Sequence, residues 1–201
     1  MKKHLLLLAT VATLILAGCF VPSVNPLYTE KDLIFDPALV GIWGEAGSEQ
    51  RQNFAREGGK AYIWTSQDKE STNVFRAHLM QLGEHRFLDA VLVRTSDEWK
   101  GVGRASVVVR PAHLFFKVEL QKTSLRVRAL STEWLDKILE ENPKAIAHER
   151  IHEPDMRDEE RRVMLTASTA ELQTFILKSV GEAKAFTEGD AWTRMGITPA
   201  R

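Results

Sequence analysis

The string His148-Glu149-Arg150-Ile151-His152 has the residue types and spacing of a metal site. On a helix, residues four apart share a face. His148 and His152 would then offer two imidazoles to a zinc ion, and Glu149 would stand where it can activate a metal-bound water. That is the chemistry of a zinc-dependent hydrolase. The neighbouring residues oppose it. Asn142-Pro143 could open a short helix, but Pro154 ends any helix just past His152. Read as a strand, the same residues put His148 and His152 on one face about 13 Å apart, too far to ligate one ion. The expectation is an outward-facing polar strand edge, with no metal and no cofactor.

In its three defining residues the string resembles the metalloprotease motif. Families with that motif avoid a charged residue where Arg150 stands, and Asp155 and Asp158 occupy the places of the Gly and His that extend it in some of them. Glu171, as a third ligand, has an unfamiliar setting. Other constellations fail outright. There is no G-x-S-x-G elbow and no phosphate loop, and Gly101-Val102-Gly103 lacks a third glycine at Ser106. His78, His85 and His113 read as turn or surface residues, and Asp89 and Glu119 as isolated carboxylates within strands.

The only cysteine, Cys19, follows Lys2, Lys3 and the apolar run Leu5–Ala17. Thirteen helical residues rise about 20 Å, short of the roughly 30 Å hydrocarbon core, so the run reads as a secretory signal rather than a membrane span. Its end, Leu16-Ala17-Gly18-Cys19, resembles the lipobox of bacterial lipoproteins. That resemblance implies cleavage before Cys19, a diacylglyceryl thioether on its sulfur and an acylated amine, palmitate among the acyl groups. Phe20, where an Asp would retain a lipoprotein in the inner membrane, implies the outer membrane, facing the periplasm, in a cell with two membranes. Ser23-Val24-Asn25-Pro26-Leu27-Tyr28 also resembles the opening of an uncharacterised group of bacterial lipoproteins, which brings no activity with it.

Composition narrows the rest. The chain has 201 residues, 44% of them hydrophobic, with 27 basic and 27 acidic side chains. Such a chain builds one globular domain and has no cationic excess for nucleic acid. Without Lys2 and Lys3 the remainder is slightly acidic, so a lipid anchor, not surface charge, must hold it on a membrane.

The elements that would position these residues follow from periodicity. Residues 1–18 form the signal peptide, 19–36 the lipidated tether, and 37–201 one α+β domain. Leu27, Tyr28, Leu33, Ile34 and Phe35 are expected to pack the tether onto the body. Alternating runs at Gly41–Gly44, Gln50–Arg56, Lys60–Ser66, Thr72–Leu82, Arg86–Arg94, Ala105–Arg110 and His113–Leu120, with turns at Gly58-Gly59 and Gly83-Glu84-His85, predict an antiparallel sheet curled into a half-barrel or barrel. Two strand-helix-strand units follow as a pseudo-repeat: Leu125–Leu130, a helix opened by Ser131, and Ala145–Ile151; then Val163–Ala167, a helix opened by Ser168, and Glu182–Thr187. The helices carry the stripes Leu135/Ile138/Leu139 and Leu172/Phe175/Ile176. Glu153–Arg162 reads as a solvated loop.

Gly41-Ile42-Trp43 resembles the G-x-W of the first strand of lipocalins, which implies a carrier of an apolar ligand. Trp43, Trp64, Phe75, Leu79, Phe87 and Phe116 are expected to point inward, and a chain of this size is expected to fill such an interior. The reading is therefore a lipid-anchored extracytoplasmic binding or structural lipoprotein of the cell envelope. A zinc hydrolase and a lipocalin-like carrier are the alternatives. Its partner beyond the membrane, an envelope protein or an apolar ligand, stays open.

Overall fold

Strands β5 (Thr72–Leu82) and β6 (His85–Thr95) carry large apolar residues on both faces, which a sheet with one wet side could not bury. Leu79 and Leu88 turn one way; Met80, Leu82 and Phe87 turn the other. The computed structural model, which describes residues 20–95, 112–151 and 162–196, resolves this with two cores, one on each side of a curved sheet.

The inner core lies inside a barrel. Before β5 come β1 (Leu33–Ile34), β2 (Gly41–Gly44), β3 (Arg51–Gly58) and β4 (Ala61–Gln67), and after β6 come β7 (His113–Leu120) and β8 (Ser124–Ala129). From β2 to β8 each strand pairs antiparallel with the next. A last strand, β11 (Asp190–Gly196), pairs with both β8 and β2 and closes an eight-stranded barrel. Closure removes the free edges of the sheet. β1 adds to one end of β5 through Leu33↔Met80 and Ile34↔Leu79. The expected antiparallel, barrel-like sheet with two helices is the architecture observed; the expected strand Ala105–Arg110 lies outside the described residues.

Aromatic side chains fill the barrel. Phe54, Trp64 and Phe75, opposite one another on β3, β4 and β5, stack at 5.4 and 4.9 Å between ring centroids. Phe116 meets Trp64 edge-on at 5.6 Å, and Phe20 meets Phe116 the same way at 5.6 Å. Trp43, Phe54 and Tyr62 are completely buried. An eight-stranded barrel has just the width for such side chains to occupy. Trp43, Trp64, Phe75, Leu79 and Phe116 point inward as expected; Phe87 does not. Leu88 and Ala90 take the inward positions of β6, and strand alternation sends Phe87 into the outer core.

The outer core is roofed by α1 (Thr132–Glu141) and α2 (Thr169–Ser179), with the two-stranded ribbon β9 (His148–Ile151) and β10 (Arg162–Leu165) between them in sequence. Leu135 and Leu139 of α1 and Leu172 and Ile176 of α2 pack with Met80, Leu82, Phe87 and Phe115. The helices thus cover the barrel's wall, not its mouth. β8 belongs to the barrel and β10 to the ribbon, so the two strand-helix-strand units occupy different places. Glu182–Thr187, expected as a strand, makes one bridge, Phe186↔Leu130. Ser131 donates to the Ala185 carbonyl and Thr187 to that of Ala129, which pins this segment to the end of β8 before the strand begins.

Each helix begins where a serine caps it. The Ser168 hydroxyl accepts from the Glu171 amide at 3.4 Å, and the Glu171 carboxylate accepts from the Ser168 amide at 2.9 Å. Removing the hydroxyl in Ser168→Ala is expected to lower stability by about 1 kcal/mol. A urea midpoint unchanged from wild type would mean that tertiary contacts alone start α2.

Candidate functional site

The segment Phe20–Asp32 is part of the body, not a loose tether. Ser23 exchanges backbone hydrogen bonds with His113 at the start of β7 (2.9 and 2.8 Å). On its other side, Val24 donates to the Leu165 carbonyl and Leu165 to that of Pro22, both at 2.9 Å. These residues therefore stitch the ribbon to the barrel. Thr169 and Gln173 of α2 continue the attachment, donating to the Pro26 and Leu27 carbonyls at 2.8 and 2.9 Å.

Beneath this seam lies the one buried carboxylate of the described strands, Asp89, 1% exposed. Alternation on β6 points it outward into the outer core, where the segment covers it. One oxygen accepts the Leu27 amide at 2.9 Å; the other is 2.6 Å from Nδ1 of His113. A carboxylate can only accept, so the imidazole donates through Nδ1. His78 sits directly opposite Asp89 on β5. Tyr28 covers both histidines, its ring 4.9 Å from His78 and 6.5 Å from His113. Burial raises the Tyr28 phenol, and the nearby Asp89 and Glu30 raise it further.

An aspartate orienting a histidine is the geometry that activates nucleophiles. Here both carboxylate oxygens hold a backbone amide and a ring, and the face of the pair is closed by Tyr28, so the arrangement fastens the segment. Among the described residues no three of His, Cys, Asp and Glu converge to hold a metal.

Burial lowers the His78 pKa; Asp89, Glu30 and Glu57 pull it up and Arg76 pushes it down, without reversing the shift. The unfolded chain thus binds this proton more readily than the native one, so the contribution is intact above the ordinary value of 6.5 and is lost as pH falls through the lowered native value. Carboxylates held low by hydrogen bonds, such as Glu57 by Arg76 and Asp68 by loop amides, titrate in a more acidic range. The urea midpoint is expected to fall between pH 7 and 5 in wild type and to fall less in His78→Gln. Equal slopes would assign the loss to another group.

A second constellation closes the barrel wall at β2. Trp43 donates to the Leu39 carbonyl at 2.9 Å, and the Arg194 guanidinium lies 4.2 Å from its ring centroid. Arg194 donates to the Val40 carbonyl at 2.9 Å and also to that of Ala38. Gly41, at φ 145°, has no room for a side chain: a Cβ would stand 2.7 Å from Nη1 of Arg194. The G-x-W spacing thus serves a tryptophan beneath an arginine fork.

The His148–Glu149 string lies on β9, whose residues pair with β10 from His148↔Leu165 to Ile151↔Arg162. Neighbours in a strand face opposite ways, so His148 and Glu149 diverge. His148 Nδ1 is 3.0 Å from the Ile146 carbonyl, and Arg150 pairs with Asp136 at 3.0 Å. His152 and Cys19 lie outside the described residues.

His78 and His113, read from sequence as turn or surface residues, and Asp89, read as isolated, are brought together. The available signal was Asp89 itself, a charge inside the run Phe87–Ala90 that is otherwise apolar. No family model, no curated protein and no solved structure matches the chain.

Proposed function

We propose that this protein is a lipid-anchored lipoprotein of the cell envelope, held through Cys19, and that its body is a rigid binding or structural module rather than an enzyme. What carries the reading is the fit of residues 20–27: a signal segment ending in a lipobox is followed at once by chain built into the barrel and ribbon. An acylated Cys19 would hold the body flush with the membrane, with no spacer. The outer membrane is the expected site in a cell with two membranes, because Phe20 replaces the Asp that signals inner-membrane retention. The hydrolase alternative is disfavoured by the divergence of His148 and Glu149.

A lipocalin-like carrier is the second reading. The closed eight-strand order and the position of Gly41 and Trp43 on its first strand favour it. The stacked aromatics inside weigh for the filled module instead.

Labelling cells with a palmitate analogue tests the anchor. Wild type is expected to take the label and fractionate with membranes, and Cys19→Ala to take none and be released. A labelled Cys19→Ala protein, or one that stays membrane-bound, would overturn the proposal.

A further inference from the structure

We propose that the end of the barrel where β4 turns into β5 and β6 ends binds a small neutral molecule, one with a flat apolar body and a polar group at its edge. The site gives the binding reading of the body a place and does not depend on the anchor at Cys19. Two rows of side chains cross the inner face of the wall there. Residues directly opposite one another in antiparallel strands share a face. Phe54, Trp64, Phe75 and Leu92 stand opposite one another on β3, β4, β5 and β6. The first three belong to the inner core, and Leu92 follows the inward Leu88 and Ala90 by alternation. Leu92 is nevertheless 40% exposed, so the aromatic stack ends at an inward side chain that water reaches. Phe20, edge-on to Phe116, covers the inner core on the side of β7.

Nearer the end, the second row is Gln52, Ser66, Asn73 and Thr95, opposite one another on the same four strands. All four are polar and neutral. The pairing of β5 with β6 slips between the rows: Phe75 faces Leu92 and Val74 faces Arg94, so Val93 is an extra residue. Without that bulge Arg94 would stand opposite Asn73; with it, Thr95 does, and no charge enters the row. Gln52 and Asn73 are 2% and 8% exposed. The Trp64 indole donates to Oε1 of Gln52 at 2.8 Å, which leaves the Gln52 nitrogen to donate elsewhere. Among the described residues nothing accepts from that nitrogen, and the Asn73 side-chain amide has no partner. Polar groups buried this deeply are as a rule bonded. No side-chain nitrogen or oxygen sealed from water lacks a partner, so both amides are reached from outside. Together the rows offer an apolar floor of Trp64, Phe75 and Leu92 beneath amide donors and an amide acceptor. A ligand group that both accepts and donates, such as a carboxamide or sulfonamide, matches them. An ionised ligand would lose its hydration there without a counter-charge in either row.

The test titrates the full-length protein, in maltoside micelles, with dansylamide, a neutral naphthalene sulfonamide that absorbs where tryptophan emits. Micelles without protein supply the baseline. Wild type is expected to give saturable, tryptophan-sensitised dansyl emission from one site per chain. Leu92→Arg sets a charge over the apolar row and should abolish it; Leu92→Gln, a milder change that should weaken it, replaces arginine if the urea midpoint falls. Asn73→Leu keeps the size but not the amide and should weaken binding about tenfold. Leu177→Arg is the control: Leu177, 39% exposed on α2, lies beside Gly83 in the turn at the other end of β6, and its variant should bind as wild type does. Absence of saturable emission in wild type would overturn the proposal. So would unchanged binding in the Leu92 variant or in Asn73→Leu, or an equal loss in Leu177→Arg. Palmitate labelling is independent of this titration, so the anchor and the site can fail separately.

Discussion

Trp43→Ala is expected to destabilise the protein by about 3–5 kcal/mol, the range for removing a large aromatic side chain from a packed interior. The indole is completely buried, and three interactions depend on it. Its N–H satisfies the Leu39 carbonyl, its ring carries the Arg194 guanidinium, and that stacking holds Arg194 where it donates to Val40 and Ala38. The loss should therefore reach beyond the cavity to the contact between β11 and the turn before β2. Trp43→Phe keeps a ring under Arg194 but loses the Leu39 bond, so it should fall between wild type and alanine. Urea unfolding of the three proteins checks the order. A loss below about 1 kcal/mol for Trp43→Ala would mean that the barrel collapses around the gap and that the indole is not the support inferred for it.

Asp89→Ala is expected to cost about 2–4 kcal/mol, because it leaves a buried amide and an imidazole without their acceptor. The effect should be local as well as global. Leu27 loses its partner on β6, so Phe20–Asp32 should open, and trypsin should cut at Lys31 well before it attacks the barrel. Asp89→Asn retains one carbonyl oxygen to accept a bond and should lose less. Comparing the rate of cleavage at Lys31 with the urea midpoint separates the two consequences. An Asp89→Ala protein that resists trypsin at Lys31 as wild type does would show that the ribbon and α2 contacts fasten the segment without the carboxylate.

Much of the strand and helix pattern was legible because each element's signal is local. Gly58-Gly59 and Gly83-Glu84 mark turns, Ser131 and Ser168 mark helix starts, and the stripes at Leu135 and Leu172 mark the faces that pack. Phe87 misled because β6 is buried on both sides. An apolar residue there fits either core, and only the register with Met80 and Lys117 assigns it to the outer one. Glu182–Thr187 misled in another way, since its backbone partners are single residues at the end of β8 and not a neighbouring strand.

From the sequence alone came the antiparallel sheet and the two capped helices, and with them the lipobox resemblance on which the proposed anchor rests, because each depends on residues near in sequence. The cluster around Asp89 needed tertiary structure. His78, Asp89 and His113 come from three strands, and Tyr28 reaches them from a segment 61 positions before Asp89. No spacing rule links such residues; the closure and register of the barrel bring them together. The Trp43–Arg194 contact joins the first barrel strand to the last for the same reason, and it exists only once β11 has returned past the helices to pair with β2.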